Sequence, residues 1–165
     1  MDPHQRELIE NLYLELYPRL LQYARSSLHS ISLAEEAVQE TFRIACTRVD
    51  VLLSHPKPKG WIRQTLKYTM MNMARRQKAD ARLLVSYLAV SQNELTFTDD
   101  RVSLELDFNR ISELEEFRLL KEWAVDNKSC LEIAQSRGIT VDACKKRLQR
   151  AREILSQKLN CDSEE

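Results

Sequence analysis

Ser129-Cys-Leu-Glu-Ile-Ala-Gln-Ser-Arg-Gly138-Ile-Thr-Val-Asp-Ala-Cys-Lys-Lys-Arg-Leu-Gln-Arg-Ala-Arg152 is the stretch from which the fold reads most directly. Ser129 and Glu132 stand three residues apart, the spacing at which a side-chain oxygen and a glutamate satisfy each other's free N–H groups at a helix start. Leu131, Ile133 and Ala134 then support a short helix ending near Arg137. Gly138 falls where a helix stop wants a left-handed residue. Thr140 can cap the next helix, whose apolar stripe is Val141, Cys144, Leu148, Ala151, Leu155 and Leu159. Those spacings keep to one face of a 3.6-residue period. Two helices joined around a glycine predict a helix-turn-helix. The open side of its second helix carries Lys145, Lys146, Arg147, Gln149, Arg150 and Arg152. Arginine or lysine can donate to guanine and glutamine can pair with adenine in the major groove. The remaining cations would meet phosphates, which position a helix without reading sequence.

Working outward, the helical grammar continues. Leu8, Leu12, Leu16 and Leu20 recur every four residues beside Ile9, Tyr13 and Tyr17. Pro18 predicts a kink or split in that helix. A turn is expected around Ser26 to Ser32, and Ser32 to Glu35 reads as another capping box. The helix after it runs to about Val49, with Leu33, Ala37, Phe42, Ala45 and Val49 on its apolar side and Glu35, Glu36, Gln39, Glu40 and Arg43 on its wet side. His55 to Gly60 reads as a loop, because Pro56 and Pro58 disfavour helix in the residues before them. Trp61 opens a further helix, apolar at Ile62, Leu66, Met70 and Met73 and basic at Arg63, Lys67, Arg75 and Arg76. Periodicity fades from Ser91 to Arg101, where Thr96 to Asp100 looks like an acidic linker. Helical pattern resumes at Leu104, with a capping box at Ser112 to Glu115, an apolar face of Leu114, Phe117, Leu120 and Trp123, and a turn at Asp126 to Lys128. The expected fold is all-α: two small helical domains joined by a linker, the C-terminal one a helix-turn-helix.

Composition narrows the function classes. Two glycines and four prolines in 165 residues are too few for the tight turns of an all-β fold. With glycine only at 60 and 138, neither a P-loop nor a dinucleotide fingerprint can form. H-E-x-x-H and G-x-S-x-G are also missing, and adjacent Glu35 and Glu36 point different ways on a helix. No catalysis, metal or cofactor is therefore expected. His4, His29 and His55 share no helix face with an acidic partner at metal spacing. Cys46, Cys130, Cys144 and Cys161 form no C-x-x-C pair, and Cys130 and Cys144 read as small buried hydrophobes. Trp61, Trp123 and the N-terminal tyrosines read as core. No apolar run reaches the roughly 20 residues of a membrane span, and the N-terminus lacks a signal-peptide pattern, so a cytoplasmic protein without membrane insertion is expected. The net charge of zero hides an uneven distribution: +3 over residues 1–80, −4 over 81–128, +4 over 129–160 and −3 over 161–165.

Three stretches together resemble one family. Ala34-Glu-Glu-Ala-Val-Gln-Glu-Thr-Phe42 is similar to the helix by which extracytoplasmic-function sigma factors, of the sigma-70 superfamily, grip the clamp helices of RNA polymerase. Gly60-Trp-Ile62 followed by Arg75-Arg76 is similar to that family's promoter-melting helix. Glu132-Ile-Ala134, Gly138-Ile-Thr140 and Lys145 to Arg152 resemble its C-terminal helix-turn-helix. The resemblance covers about residues 8–160 in family order. It implies a domain over 8–82 for core polymerase and the −10 element, an acidic linker over 83–102, and a domain over 103–160 for the −35 element. By the same resemblance, Glu36, Gln39, Glu40 and Phe42 would touch core polymerase. Lys57, Lys59, Arg63, Lys67, Arg75 and Arg76 would serve −10 DNA, with a flipped base held by the loop Leu52 to Lys59. Thr140, Lys145, Lys146, Arg147, Gln149, Arg150 and Arg152 would serve −35 DNA, with Lys145, Lys146, Gln149 and Arg150 facing bases and Arg147 and Arg152 on phosphates or in packing. The implied partners are core RNA polymerase, promoter DNA and an anti-sigma factor. Tyr68 and Asn72 depart from the family's frequent Asn and Asp, and Lys146 replaces a commonly small residue.

Two other readings of the residues stay open at this point. One is a stand-alone helix-turn-helix regulator with an N-terminal dimerisation domain, which would bind symmetric half-sites one helical turn apart. The other is a protein-binding helical adaptor whose basic faces are inert.

Overall fold

The computed structural model describes residues 2–95 and 115–161, with side chains placed for 2–90 and 115–160. Among these residues every regular element is a helix: α1 (Pro3–Leu28), α2 (Ile31–Thr47), α3 (Val49–Ser54), α4 (Pro58–Leu95), α5 (Glu115–Ala124), α6 (Cys130–Arg137) and α7 (Val141–Cys161). None of the described helices is long and apolar enough to cross a membrane. The chain divides into two compact units, Met1–Arg75 and Arg76–Glu165.

In the first unit α1 begins with a reciprocal cap. The Asp2 carboxylate accepts from the Gln5 N–H at 2.7 Å, and the Gln5 side-chain oxygen accepts from the Asp2 N–H at 3.0 Å. Pro3 follows at the first helical position, where its missing N–H costs nothing. Pro18 does not split α1, which runs unbroken to Leu28. A proline inside a helix costs about 3 kcal/mol. Leu16 and Leu20 flank it and are both buried, and at roughly 2 kcal/mol per buried leucine they offset that cost. His29 ends α1 in the left-handed conformation, φ 53°. The cap of α2 is Ser30, whose Oγ accepts from the Leu33 N–H at 3.3 Å. The expected cap, Ser32, lies inside the helix instead.

Faces of four helices make the core of this unit. Ile9, Leu16, Leu20 and Ala24 of α1 meet Ala34, Ala37, Val38, Phe42 and Ala45 of α2. Val49 and Leu52 of α3 and Ile62, Leu66 and Met70 of α4 complete it, with Trp61 packed at its edge. The alanines on α2 present almost no bulk, which lets α1 approach closely. Tyr13 and Tyr23, expected in the core, are partly exposed. The expected loop from His55 to Gly60 is shorter than the prolines suggest. Helix α4 already starts at Pro58, and the Trp61 N–H donates to the Lys57 carbonyl at 3.0 Å. Pro58 disfavours helix before it and favours one after it.

In the second unit the buried side chains come from α4 (Leu84, Tyr87), α5 (Phe117, Leu119, Leu120, Trp123), α6 (Cys130, Ile133, Ala134) and α7 (Cys144, Leu148, Ala151, Leu155). The division between units falls at 75/76, inside α4, rather than in the expected linker over 83–102. Residues 83–95 are helical, and Leu84 and Tyr87 are buried. Tyr87 packs against Phe117 with ring centroids 6.4 Å apart, and Lys158 lies 5.9 Å from the centre of the Tyr87 ring. The remainder of that linker, the helical pattern at Leu104 and the capping box beginning at Ser112 lie outside the described residues. Ser129 and Glu132 do form a reciprocal cap at α6, with contacts of 3.2 and 2.8 Å. Gly138 closes α6 with φ 62°.

Two stability outcomes follow from these local features. Gly138→Ala places a Cβ on a left-handed backbone and should cost about 1–2 kcal/mol, although open space surrounds the position. Ser30→Ala should cost about 1 kcal/mol through the lost cap. Urea denaturation of the purified chain reads both, and a Gly138→Ala protein as stable as the parent would contradict the cap geometry.

Candidate nucleic-acid and protein interfaces

The C-terminal basic helix is built on its apolar stripe. Cys144, Leu148, Ala151 and Leu155 of α7 are buried, which turns Lys145, Lys146, Arg147, Gln149 and Arg150 outward, and all five are exposed. Thr140 is exposed and caps α7, accepting from the Ala143 N–H at 3.2 Å. The Gln149 amide donates to Glu153 at 2.8 Å. An exposed row of cations on a helix set by a glycine turn can lie along a polyanion.

Arg152 does not share that row. Its Nε donates to both oxygens of Asp80, at 2.8 and 3.0 Å, and its Nη2 donates to one of them at 2.9 Å. Asp80 is only 4% exposed, while the Arg152 side chain is 26% exposed. Desolvation of the carboxylate makes the pair demanding, so Arg152 is engaged inside the protein and is not an open cation. Sequence reasoning missed Asp80. A signal was present, because Met73, Asp80, Leu84 and Tyr87 keep to one helical face, leaving a lone acid on an apolar stripe.

Arg137 anchors the helix before the glycine turn. It is paired with Glu115, and its Nη2 donates to Glu122 at 2.9 Å. Glu122 also receives Lys128 at 3.3 Å. The Arg137 bonds tie α6 to α5, and Lys128 ties the turn between them to α5.

In the first unit the N-terminal half of α4 presents a second basic face. Arg63, Lys67 and Arg75 are exposed, and Arg75 donates to Asn72 at 2.9 Å. Arg76 is exposed and falls in the second unit. Lys57 and Lys59 are exposed before and at the start of α4, and Lys59 is paired with Glu15. Tyr68 and Met71, 57% and 56% exposed, lie among these cations. In the sequence Tyr68 shows only as a departure from the family's frequent Asn, and Met71 carries no motif signal. An aromatic ring exposed beside cations, as Tyr68 is, can offer bases a stacking surface. The expected base-holding loop from Leu52 to Lys59 is mostly helix, since Leu52 is buried at the heart of the core on α3. Only His55 to Lys57 separates α3 from α4.

The acidic face of α2 holds Glu36, Gln39 and Glu40 on successive turns. Gln39 is exposed, and Glu36 and Glu40 are half-buried. Glu40 accepts two bonds from Arg43, at 2.6 and 2.7 Å. Phe42 does not join them. It is 6% exposed and meets Tyr13 edge-on at 4.8 Å between centroids. Its spacing from Ala34, Val38 and Ala45 places it on the buried stripe. Tyr17 beside Tyr13 has its phenol pushed above the ordinary value by burial, and then by the repulsion of Tyr13 and Glu35.

Residues 12–79 match the family model for Sigma-70 region 2. No curated protein and no solved structure matches the chain. The matched segment contains the acidic face of α2, the core around Phe42 and the basic face of α4, and it ends one residue before Asp80.

Phe42→Ala should lower stability by about 3–5 kcal/mol, the cost of removing a buried aromatic. Thermal unfolding followed by circular dichroism measures it. A variant with normal stability but lost partner binding would return Phe42 to the surface.

Proposed function

We propose that this chain is a promoter-specificity subunit, a sigma factor of the extracytoplasmic-function type, which binds core RNA polymerase and directs initiation at promoters with −10 and −35 elements. The observation that carries the proposal is the Sigma-70 region 2 match over residues 12–79, laid over a helix pair that exposes one acidic and one basic face. A segment of that family points to polymerase binding and promoter recognition. The exposed cations on α7 behind the Gly138 turn support a helix-turn-helix in the same chain.

In this reading the division of labour follows charge. Glu36, Gln39 and Glu40 on α2 meet core polymerase, and Phe42 supports that face from within. Lys57, Lys59, Arg63, Lys67, Arg75 and Arg76 neutralise phosphates around the −10 element. Tyr68 and Met71 give unpaired bases a surface to rest on. Unstacking a base costs a few kcal/mol, and stacking on an aromatic side chain returns about 1–3 kcal/mol. Lys145, Lys146, Gln149 and Arg150 read −35 base edges, with Thr140 and Arg147 on the backbone. Neither module needs high affinity alone, because tethering on polymerase raises the effective concentration of each. An anti-sigma protein would be the regulating partner.

Reconstitution with core polymerase should start transcription at defined promoters, and failure of the chain to bind core polymerase would reject the proposal. Glu40→Lys should weaken core binding at least tenfold in a fluorescence-polarisation titration. Lys145→Ala with Arg150→Ala should leave core binding intact and abolish initiation that depends on the −35 element. Tight binding of symmetric operators by a polymerase-free dimer would instead favour a stand-alone regulator.

A further inference from the structure

We infer that Asp80 is a positioning residue for the basic helix α7, acting through Arg152, and that Arg152 is withdrawn from the DNA contact set. The inference rests on the proposed function and adds a residue that neither the match nor the motifs contain. Its basis is geometric. Arg152 follows Lys145 by seven residues and Gln149 by three, so all three lie toward one side of α7. The planar guanidinium makes three bonds of 2.8–3.0 Å to one carboxylate. A two-pronged contact of this kind fixes direction as well as distance. The roll of α7 about its axis is therefore set by Asp80, and with it the direction in which Lys145 and Gln149 project.

The carboxylate is itself held on a fixed element. Gln77, one turn earlier on the same face of α4, donates to the Trp123 carbonyl at the end of α5 at 3.0 Å. Two polar ties from adjacent turns thus reach α5 and α7, while Tyr87 packs on Phe117 two turns beyond. Arg137 binds α6 to α5. The stretch of α4 after Arg75 serves as the frame on which the helix pair around Gly138 is mounted.

The test uses the full chain bound to core polymerase. Its probes are a duplex selected by the parent from a randomised −35 pool and a scrambled duplex. Asp80→Asn and Arg152→Ala should each cut the selected-to-scrambled affinity ratio on the order of tenfold, the worth of one base contact. The double change should cut it no further. Affinity for the scrambled duplex and its salt dependence should stay at the parental value. If Arg152 touched phosphate, Arg152→Ala would instead flatten the logarithmic salt slope by about 0.9, and that result would overturn the inference. The pair Asp80→Leu with Arg152→Met replaces the ion pair by apolar packing and guards against simple unfolding. Parental thermal stability with a lowered ratio supports positioning. Recovery of both stability and ratio would reduce Asp80 to a stabilising role and sink the assignment. If the parent itself selects no sequence from the pool, the proposed function fails first, and with it any helix for Asp80 to position. If the parent selects a sequence and the variants keep the ratio, only the Asp80 assignment fails.

Discussion

A carboxylate removed from water must be met by a cation, and in the second unit that requirement falls on Asp80. Its partner could only be a side chain long enough to reach from a neighbouring helix and able to satisfy both oxygens. Arg152 meets that demand. Removing one member of such a pair typically costs about 3–5 kcal/mol, because the other is left buried and unpaired. An apolar pair of similar volume would often hold the helices as well. What the ionic pair adds is direction, since a flat guanidinium on a carboxylate tolerates little rotation. The packing of Cys144, Leu148, Ala151 and Leu155 buries α7, and the Asp80 contact selects one roll among those that such packing would allow.

The first unit answers a different constraint. It carries exposed or half-buried acidic groups on α2 and exposed cations on α4, both helices sharing one apolar core. Small residues on α2 let its backbone approach α1, and larger ones such as Phe42 and Leu66 fill what remains. Each face belongs to a helix whose other side packs in the core. A site on such elements holds its geometry more closely than one on a loop. Tyr68 and Met71 lie outside that core, exposed among the cations of α4.

Two residues expected at interfaces have partners within the protein. Arg152 reads as one more cation on a basic helix, and Phe42 reads as part of a segment similar to a polymerase-binding helix. Both are occupied inside the protein, one by Asp80 and one by Tyr13. Net charge per segment, the measure available from a sequence, cannot separate a cation facing solvent from one facing a buried carboxylate.

The helices, their apolar faces and the glycine turn at Gly138 were legible from the sequence, because they depend on interactions within a few residues: 3.6-residue periodicity, caps at Ser129 and Thr140, and the left-handed freedom of glycine. Even there Ser30, rather than Ser32, caps α2, as two nearby serines compete for one local role. Met73, Asp80, Leu84 and Tyr87 carry the helical period of α4 past Arg75, but only the tertiary structure decided that its later turns belong to the second unit and that Asp80 holds Arg152. The pair joins residues 72 positions apart, and although periodicity marks Asp80 as an acid on an apolar stripe, nothing along the chain says which cation it meets.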